Sequence, residues 1–240
     1  MPDRSLVPRQ RQAGDTVSEE LLIHGATTAK GAKGQGRVIF GEFQRLLGEE
    51  GFTSLAYDTR GVGESEGEFH NSTLTHRLAD AENAYKFFTC NQFVDAGRIA
   101  VFGLSMGGHI AARLVGLHPE KFKEVVLVNA AAYGLQAEDK RLKPYSEFTD
   151  AIRQNYSWQN SLVFVDLLKF RGAVMTADSE FDDVVPQEVK DRYRLSIVQL
   201  DRHLVLPSVK HAFFFTIDQQ PIEARNLLYK EMIDSFKQNL

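Results

Sequence analysis

The chain has 240 residues, 43% of them hydrophobic and 25% charged, with 28 Lys+Arg against 32 Asp+Glu for a formal net charge of −4. That balance fits a globular protein with a sizeable core. It excludes a disordered or fibrous chain and argues against a nucleic-acid partner, which would call for a basic excess. Cys90 is the single cysteine, so no intrachain disulfide can form and a reducing, cytoplasmic setting is expected. No apolar run nears the ~18 residues of a membrane span, and residues 1–20 lack the apolar stretch of a secretory signal, so no membrane partner is expected.

In chain order, Leu21 to Ile23 reads as a short buried strand. Val38 to Glu50 reads as a helix, with Val38, Phe40, Phe43, Leu46 and Leu47 apolar and Gly51 ending it. A strand over Phe52 to Tyr57 leads into a glycine-rich turn, and Leu74 to Thr89 forms a second helix. Then come a strand at Ile99 to Phe102, a helix over Met106 to Leu117 and a strand at Val125 to Val128. Two further strands follow at Ala173 to Met175 and Leu204 to Leu206, and a helix over Ile222 to Phe236 closes the chain. Apolar strands alternating with helices predict an α/β fold: one domain over 1–240, with a mostly parallel sheet and helices on both faces. Such sheets bind ligands beyond the carboxyl ends of their strands. The polar stretch from Ala131 to Gln159 breaks the rhythm and carries Tyr133, Tyr145, Phe148, Tyr156 and Trp158. It is expected to be irregular and to form a small cap insertion over 131–160; the alternative is a surface excursion whose aromatics pack down.

Gly103-Leu104-Ser105-Met106-Gly107 follows an apolar strand directly and opens a helix directly, the context of a nucleophile elbow. A sharp strand-to-helix turn strains the serine backbone and projects its hydroxyl outward. The residues two before and two after it then approach closely, and glycine at 103 and 107 allows this. The bland reading is a serine capping a helix among glycines.

A serine hydroxyl needs a base, and the base needs an orienting acid. On such an elbow the chain order is Ser, acid, His. Of the histidines after Ser105, His109 and His118 sit on or just past the elbow helix, pointing away from the strand ends, and His203 opens a strand at its wrong end. His211, just past a strand end, remains. Asp178, Asp182 and Asp183 crowd the loop where the acid belongs. Asp182 is preferred, since Pro186 can start a helix just beyond it; Asp183 is the runner-up and Asp178 the third choice. Two N–H groups should meet the developing oxyanion: Met106, at a helix N-terminus, and Ala26, in the loop after the first strand. His24 in that loop is read as a brace.

Gly31 to Val38 nearly fits a phosphate loop, but Arg37 and Val38 stand where Lys and a hydroxyl are required, so it reads as a turn. No HExxH, cysteine pair or acidic calcium loop appears, and no metal or cofactor is expected.

Taken together, His24-Gly25, Asp58 to Ser65, Gly103 to Gly108 and His211 resemble the α/β-hydrolase superfamily from about Glu20 to the C-terminus. Within it, Gly63-Glu64-Ser65-Glu66-Gly67-Glu68-Phe69, Gly103-Leu104-Ser105-Met106-Gly107-Gly108 and His118-Pro119-Glu120 resemble the bacterial cinnamoyl/feruloyl esterase-like serine hydrolases. The resemblance implies a carboxylic-ester hydrolase with a Ser105–Asp182–His211 triad, oxyanion donors at Ala26 and Met106, and a small-molecule ester as partner. Three departures accompany it: shortened or missing first strands, a smaller cap, and Ser179 where the family usually has glycine. A peptidase, thioesterase or C–C hydrolase with the same residues, and a non-catalytic binding module, are the competing functions.

Overall fold

The computed structural model describes residues 19–25, 36–142, 145–155, 157–215 and 222–240. Six strands, β1 (Glu19–Ile23), β2 (Thr53–Ala56), β3 (Ile99–Leu104), β4 (Glu124–Val128), β5 (Ala173–Ser179) and β6 (Leu200–Leu206), form one sheet in the order β2-β1-β3-β4-β5-β6. Every described pairing is parallel, so the sheet is more uniform than the mostly parallel one expected. The register runs Leu22–Phe102–Val126 on one face and Ile23–Gly103–Leu127 on the other. Parallel strands need covered crossovers, and alternate residues bury both faces, so β1, β3 and β4 contain no exposed residue.

Helices α1 (Gly41–Glu49) and α8 (Ile222–Asn239) cover the face that bears Leu22, Phe102 and Val126. Their apolar stripes meet there: Phe43 stacks on Tyr229 at 4.7 Å between centroids, and Phe52 meets Phe236 edge-on. Helices α2 (Leu74–Thr89), α3 (Met106–Leu117), α6 (Leu162–Leu167) and α7 (Gln187–Leu195) cover the opposite face. Each fully buried Leu or Phe contributes roughly 1.5–3 kcal/mol relative to exposure, so these two layers fix which way every strand end points. Among the described residues no helix is long and apolar enough to cross a membrane.

Several boundaries differ from the expectation. Val38 begins no α-helix: Gly36–Phe40 is a 3-10 turn, and the α-helix starts at Gly41. Strand β6 reaches back to Leu200, because an edge strand tolerates the polar run Asp201-Arg202-His203; His203 therefore lies inside the strand rather than at its start. The stretch after β4 is helical rather than irregular. It holds α4 (Leu135–Glu138), α5 (Tyr145–Asn155) and a 3-10 turn, Ser157–Asn160. Phe148, Ala151 and Ile152 stand at helical spacing on α5, and Phe148 and Ala151 are buried.

Candidate active site

The site is built at the carboxyl ends of β1, β3, β4, β5 and β6. β3 runs into Ser105, and α3 starts at the next residue, so the chain turns within one peptide unit. Ser105 takes φ 55° and ψ −117°, a strained conformation for a residue with a side chain. The turn closes because its flanks lack side chains. A Cβ on Gly103 would overlap the Gly107 carbonyl oxygen and lie 2.7 Å from the Ala111 Cβ, and one on Gly107 would overlap the Ile23 carbonyl and lie 2.6 Å from that of His24. Backbone bonds then stitch the serine in place: Ser105 N–H donates to Val128 O at 2.9 Å, and Ser105 O accepts from Gly108 N–H at 2.9 Å and Ala131 N–H at 3.0 Å.

Three side chains meet here in sequence. Ser105 Oγ lies 2.8 Å from His211 Nε2, and His211 Nδ1 lies 3.0 Å from Asp182 Oδ1. Ser105 and His211 are 8% and 7% exposed, so the pair is nearly dry yet reachable. Asp182 Oδ1 also accepts N–H bonds from Val184 at 2.9 Å and Val185 at 3.0 Å, in the turn before α7. Burial would raise the Asp182 carboxyl, but hydrogen bonds from His211, Val185 and Val184 outweigh it and hold the group well below the usual carboxylate range. An ionised carboxylate bonded to Nδ1–H leaves Nε2 as the acceptor that faces the hydroxyl. Met106 is the first helical residue of α3, where an N–H has no intrahelical acceptor and the helix dipole favours negative charge.

The chain just past β1, at His24 and Gly25, is braced from within. His24 is fully buried; its Nδ1 bonds the Gly25 carbonyl at 2.8 Å, and its Nε2 accepts from Thr59 N–H at 3.3 Å. Burial, then the charge of Arg77, lower its pKa to about 3, so the ring is neutral. Arg77, on α2 and also fully buried, donates to His24 O at 3.1 Å, Gly25 O at 3.0 Å and Thr59 Oγ1 at 3.2 Å.

The family model whose description reads Serine aminopeptidase, S33 matches residues 33–178. The chain belongs to that family. The matched S33 region contains Ser105 and ends before Asp182 and His211. Among curated proteins, a polyketide transferase, grgF, of a Penicillium species is 34% identical over 73 residues, 30% of this chain and 25% of the relative. A thiohydrolase, apmlB, of Arthrinium phaeospermum is 35% identical over 96 residues, 39% of this chain and 31% of the relative. The S33 chain thus spans only about a quarter to a third of these relatives in the matched stretches. Among solved structures, Est1E of Butyrivibrio proteoclasticus with bound ferulic acid superposes with a TM-score of 0.72 at 16% identity, covering 97% of this chain and 92% of that one. At that identity the likeness shows the α/β-hydrolase fold alone.

The other candidates fall elsewhere. Asp178 binds Arg194 at 2.7 Å, and Asp183 pairs with Lys210 at 3.5 Å; neither bonds His211. His118 meets Glu82 of α2 at 3.0 Å, and His203 Nδ1 bonds Thr176 Oγ1 at 2.8 Å. His109 does not point away from the strand ends as expected. It is buried one turn past Ser105, where its Nδ1 accepts from Tyr133 N–H at 3.3 Å, and its Nε2 lies 3.3 Å from Glu138 of α4. Pro186 is the residue before α7 rather than its first residue. Ala26 and Tyr156 lie outside the described residues. Of the remaining aromatics, Phe148 is buried against Tyr133, and Trp158 packs edge-on to Phe164, so these rings join the core instead of standing free over the site.

Sequence reasoning missed Asn129. At φ 45°, past the end of β4, it accepts from Ser179 N–H at 2.7 Å and donates through Nδ2 to Ser179 Oγ at 2.8 Å and to His211 O at 3.3 Å. Ser179 Oγ donates in turn to Lys210 O at 3.1 Å. The hydroxyl at 179, where the resembled family usually has glycine, therefore helps to tie down the loop that carries His211. A small polar residue directly after a buried strand was the only signal in the sequence.

Proposed function

We propose that the chain is a serine hydrolase that cleaves carboxylic esters through an acyl-enzyme on Ser105. The observation that carries this reading is the unbroken run of contacts from Ser105 Oγ through His211 to Asp182 at 2.8 and 3.0 Å. In the first step His211 Nε2 takes the hydroxyl proton as Ser105 Oγ attacks the ester carbonyl carbon. Asp182 fixes the ring tautomer and stabilises the imidazolium without taking the proton. The negative charge that develops on the carbonyl oxygen is met by the Met106 N–H and, in this reading, by the Ala26 N–H. His211 then returns its proton to the leaving alkoxide. A water, deprotonated by His211, attacks the acyl carbon; as the acyl–Oγ bond breaks, His211 passes that proton to Ser105 Oγ and the acid leaves. In this reading the stretch 131–160 serves as a small cap, supported by the contacts of Tyr133 N–H and Glu138 with His109, one turn past Ser105.

A second reading keeps the same residues but acts on a thioester or transfers the acyl group to another acceptor. The names of the polyketide transferase and thiohydrolase relatives favour it, and the S33 description keeps an amide bond in view. One experiment separates these. A fluorophosphonate should label Ser105 in the wild type and not in Ser105→Ala, and p-nitrophenyl ester turnover should vanish with that substitution. Ranking kcat/KM across esters, acyl thioesters and aminoacyl amides then orders the bonds. Unchanged ester turnover in Ser105→Ala would overturn the mechanism, and esters in last place would overturn the substrate class.

A further inference from the structure

The buried stripe of α7 runs Val189, Lys190, Tyr193, so a lysine occupies a core-facing position. Lys190 is 5% exposed and the Asp182 side chain 1%. A buried ammonium is heavily penalised unless charges pair with it, which makes its surroundings informative. Asp182 divides its two oxygens. Oδ1 serves His211 and the two backbone N–H groups, whereas Oδ2 lies 3.1 Å from Lys190 Nζ. The approach lies off hydrogen-bond geometry, so the contact is Coulombic, and among the described residues Oδ2 has no hydrogen-bond donor. On its other side Lys190 shares a small cavity with Thr176, Asp178, Tyr193 and Arg194. The titratable and charged groups around it are therefore Asp182 and Asp178, Arg194 bound to Asp178, and the Tyr193 hydroxyl, which donates to Ala131 O at 2.7 Å. His203 lies beyond Asp178, and His211 is reached through Asp182.

We propose that Lys190 is a positioning residue for this site: its ammonium holds the free oxygen of Asp182, and its charge offsets part of that carboxylate's pull on the His211 proton. The inference rests on the Ser105–His211–Asp182 reading above. A carboxylate beside an imidazole favours the protonated ring, and a cation behind the carboxylate opposes that preference. With the cation removed, the site shuts down sooner on the acid side. A lysine that only neutralised a buried charge for folding would leave that limb where it is.

The test uses the full chain and needs no knowledge of the natural substrate. The second-order rate of Ser105 labelling by a fluorophosphonate is measured from pH 5 to 9 for the wild type, Lys190→Met and Lys190→Arg, with near-UV circular dichroism as the check of folding. Lys190→Met should move the acid limb upward by about one pH unit, while Lys190→Arg, which keeps the charge, should stay with the wild type. Folded Lys190→Met with an unmoved limb overturns the proposal. Should Lys190→Met not fold, Lys190→Gln decides. It removes the charge but keeps a polar donor of similar length beside Asp182 Oδ2, so the limb must move upward; an unmoved limb overturns the proposal. A wild-type chain that does not label at any pH refutes the proposed function instead, so the two failures are distinct.

Discussion

Glu124 offers a quantitative test of how the sheet is assembled. It is the first residue of β4, fully buried, and it faces α8, where Ser235 Oγ and Asn239 Nδ2 donate to its carboxylate. The register places Ala100 between it and Glu20, so two carboxyls flank one alanine on the same face. Burial raises the Glu124 pKa from 4.5 to about 7 against the opposing pull of Ser235 and Asn239, and burial likewise raises Glu20. A carboxyl whose folded pKa lies above its unfolded one favours the fold fully below pH 4.5, and that contribution is lost as pH rises through about 7. The difference of about 2.5 units, at ~1.4 kcal/mol each, makes roughly 3 kcal/mol. Glu124→Gln removes the ionisation and loses about 1 kcal/mol of hydrogen bonding. The variant should therefore be about 2 kcal/mol more stable than the wild type at pH 8, or ~6 °C in Tm, and no more stable at pH 4.5. Urea unfolding of both chains at the two pH values measures this. A variant-minus-wild-type difference that is the same at both values would refute the reasoning, because an uncharged packing effect has no reason to follow pH.

Two further outcomes follow from the site. Gly107→Ala places a methyl against the Ile23 and His24 carbonyls, neither of which can retreat without breaking the β1 end, so it should cost about 3 kcal/mol or more and abolish fluorophosphonate labelling; thermal unfolding and probe labelling both near wild type would contradict the elbow geometry. Asn129→Gly relieves the left-handed φ while removing the amide that holds His211 O and Ser179, and labelling per folded molecule should fall ~10-fold. A wild-type rate in that variant would mean the amide is not what holds the histidine loop.

The parts of the fold legible in the sequence are those governed by local chemistry. Strands such as Ile99–Leu104 are apolar throughout because both faces are covered, and α3 is framed by the elbow before it and His118 after it. The elbow itself could be read because close approach at 103 and 107 admits only glycine. What could not be read was set by distant partners. α5 is mostly charged and polar, and its few apolar positions gain meaning only from the core beneath them. The polar start of β6, Asp201-Arg202-His203, is strand because β5 offers it an edge. His109 looked idle until the segment after β4 folded over it. Asn129 and His211 are 82 positions apart, and Lys190 reveals itself only once the helix of α7 is wound and its stripe counted.

The neutral ring of His24 separates scaffold from chemistry. With a pKa near 3 it carries no charge anywhere in the ordinary working range, and Arg77 ties the same peptides to α2. The bracket beneath the entrance to the first loop is therefore deaf to acidity. A rise or fall of turnover with pH thus does not originate in this bracket.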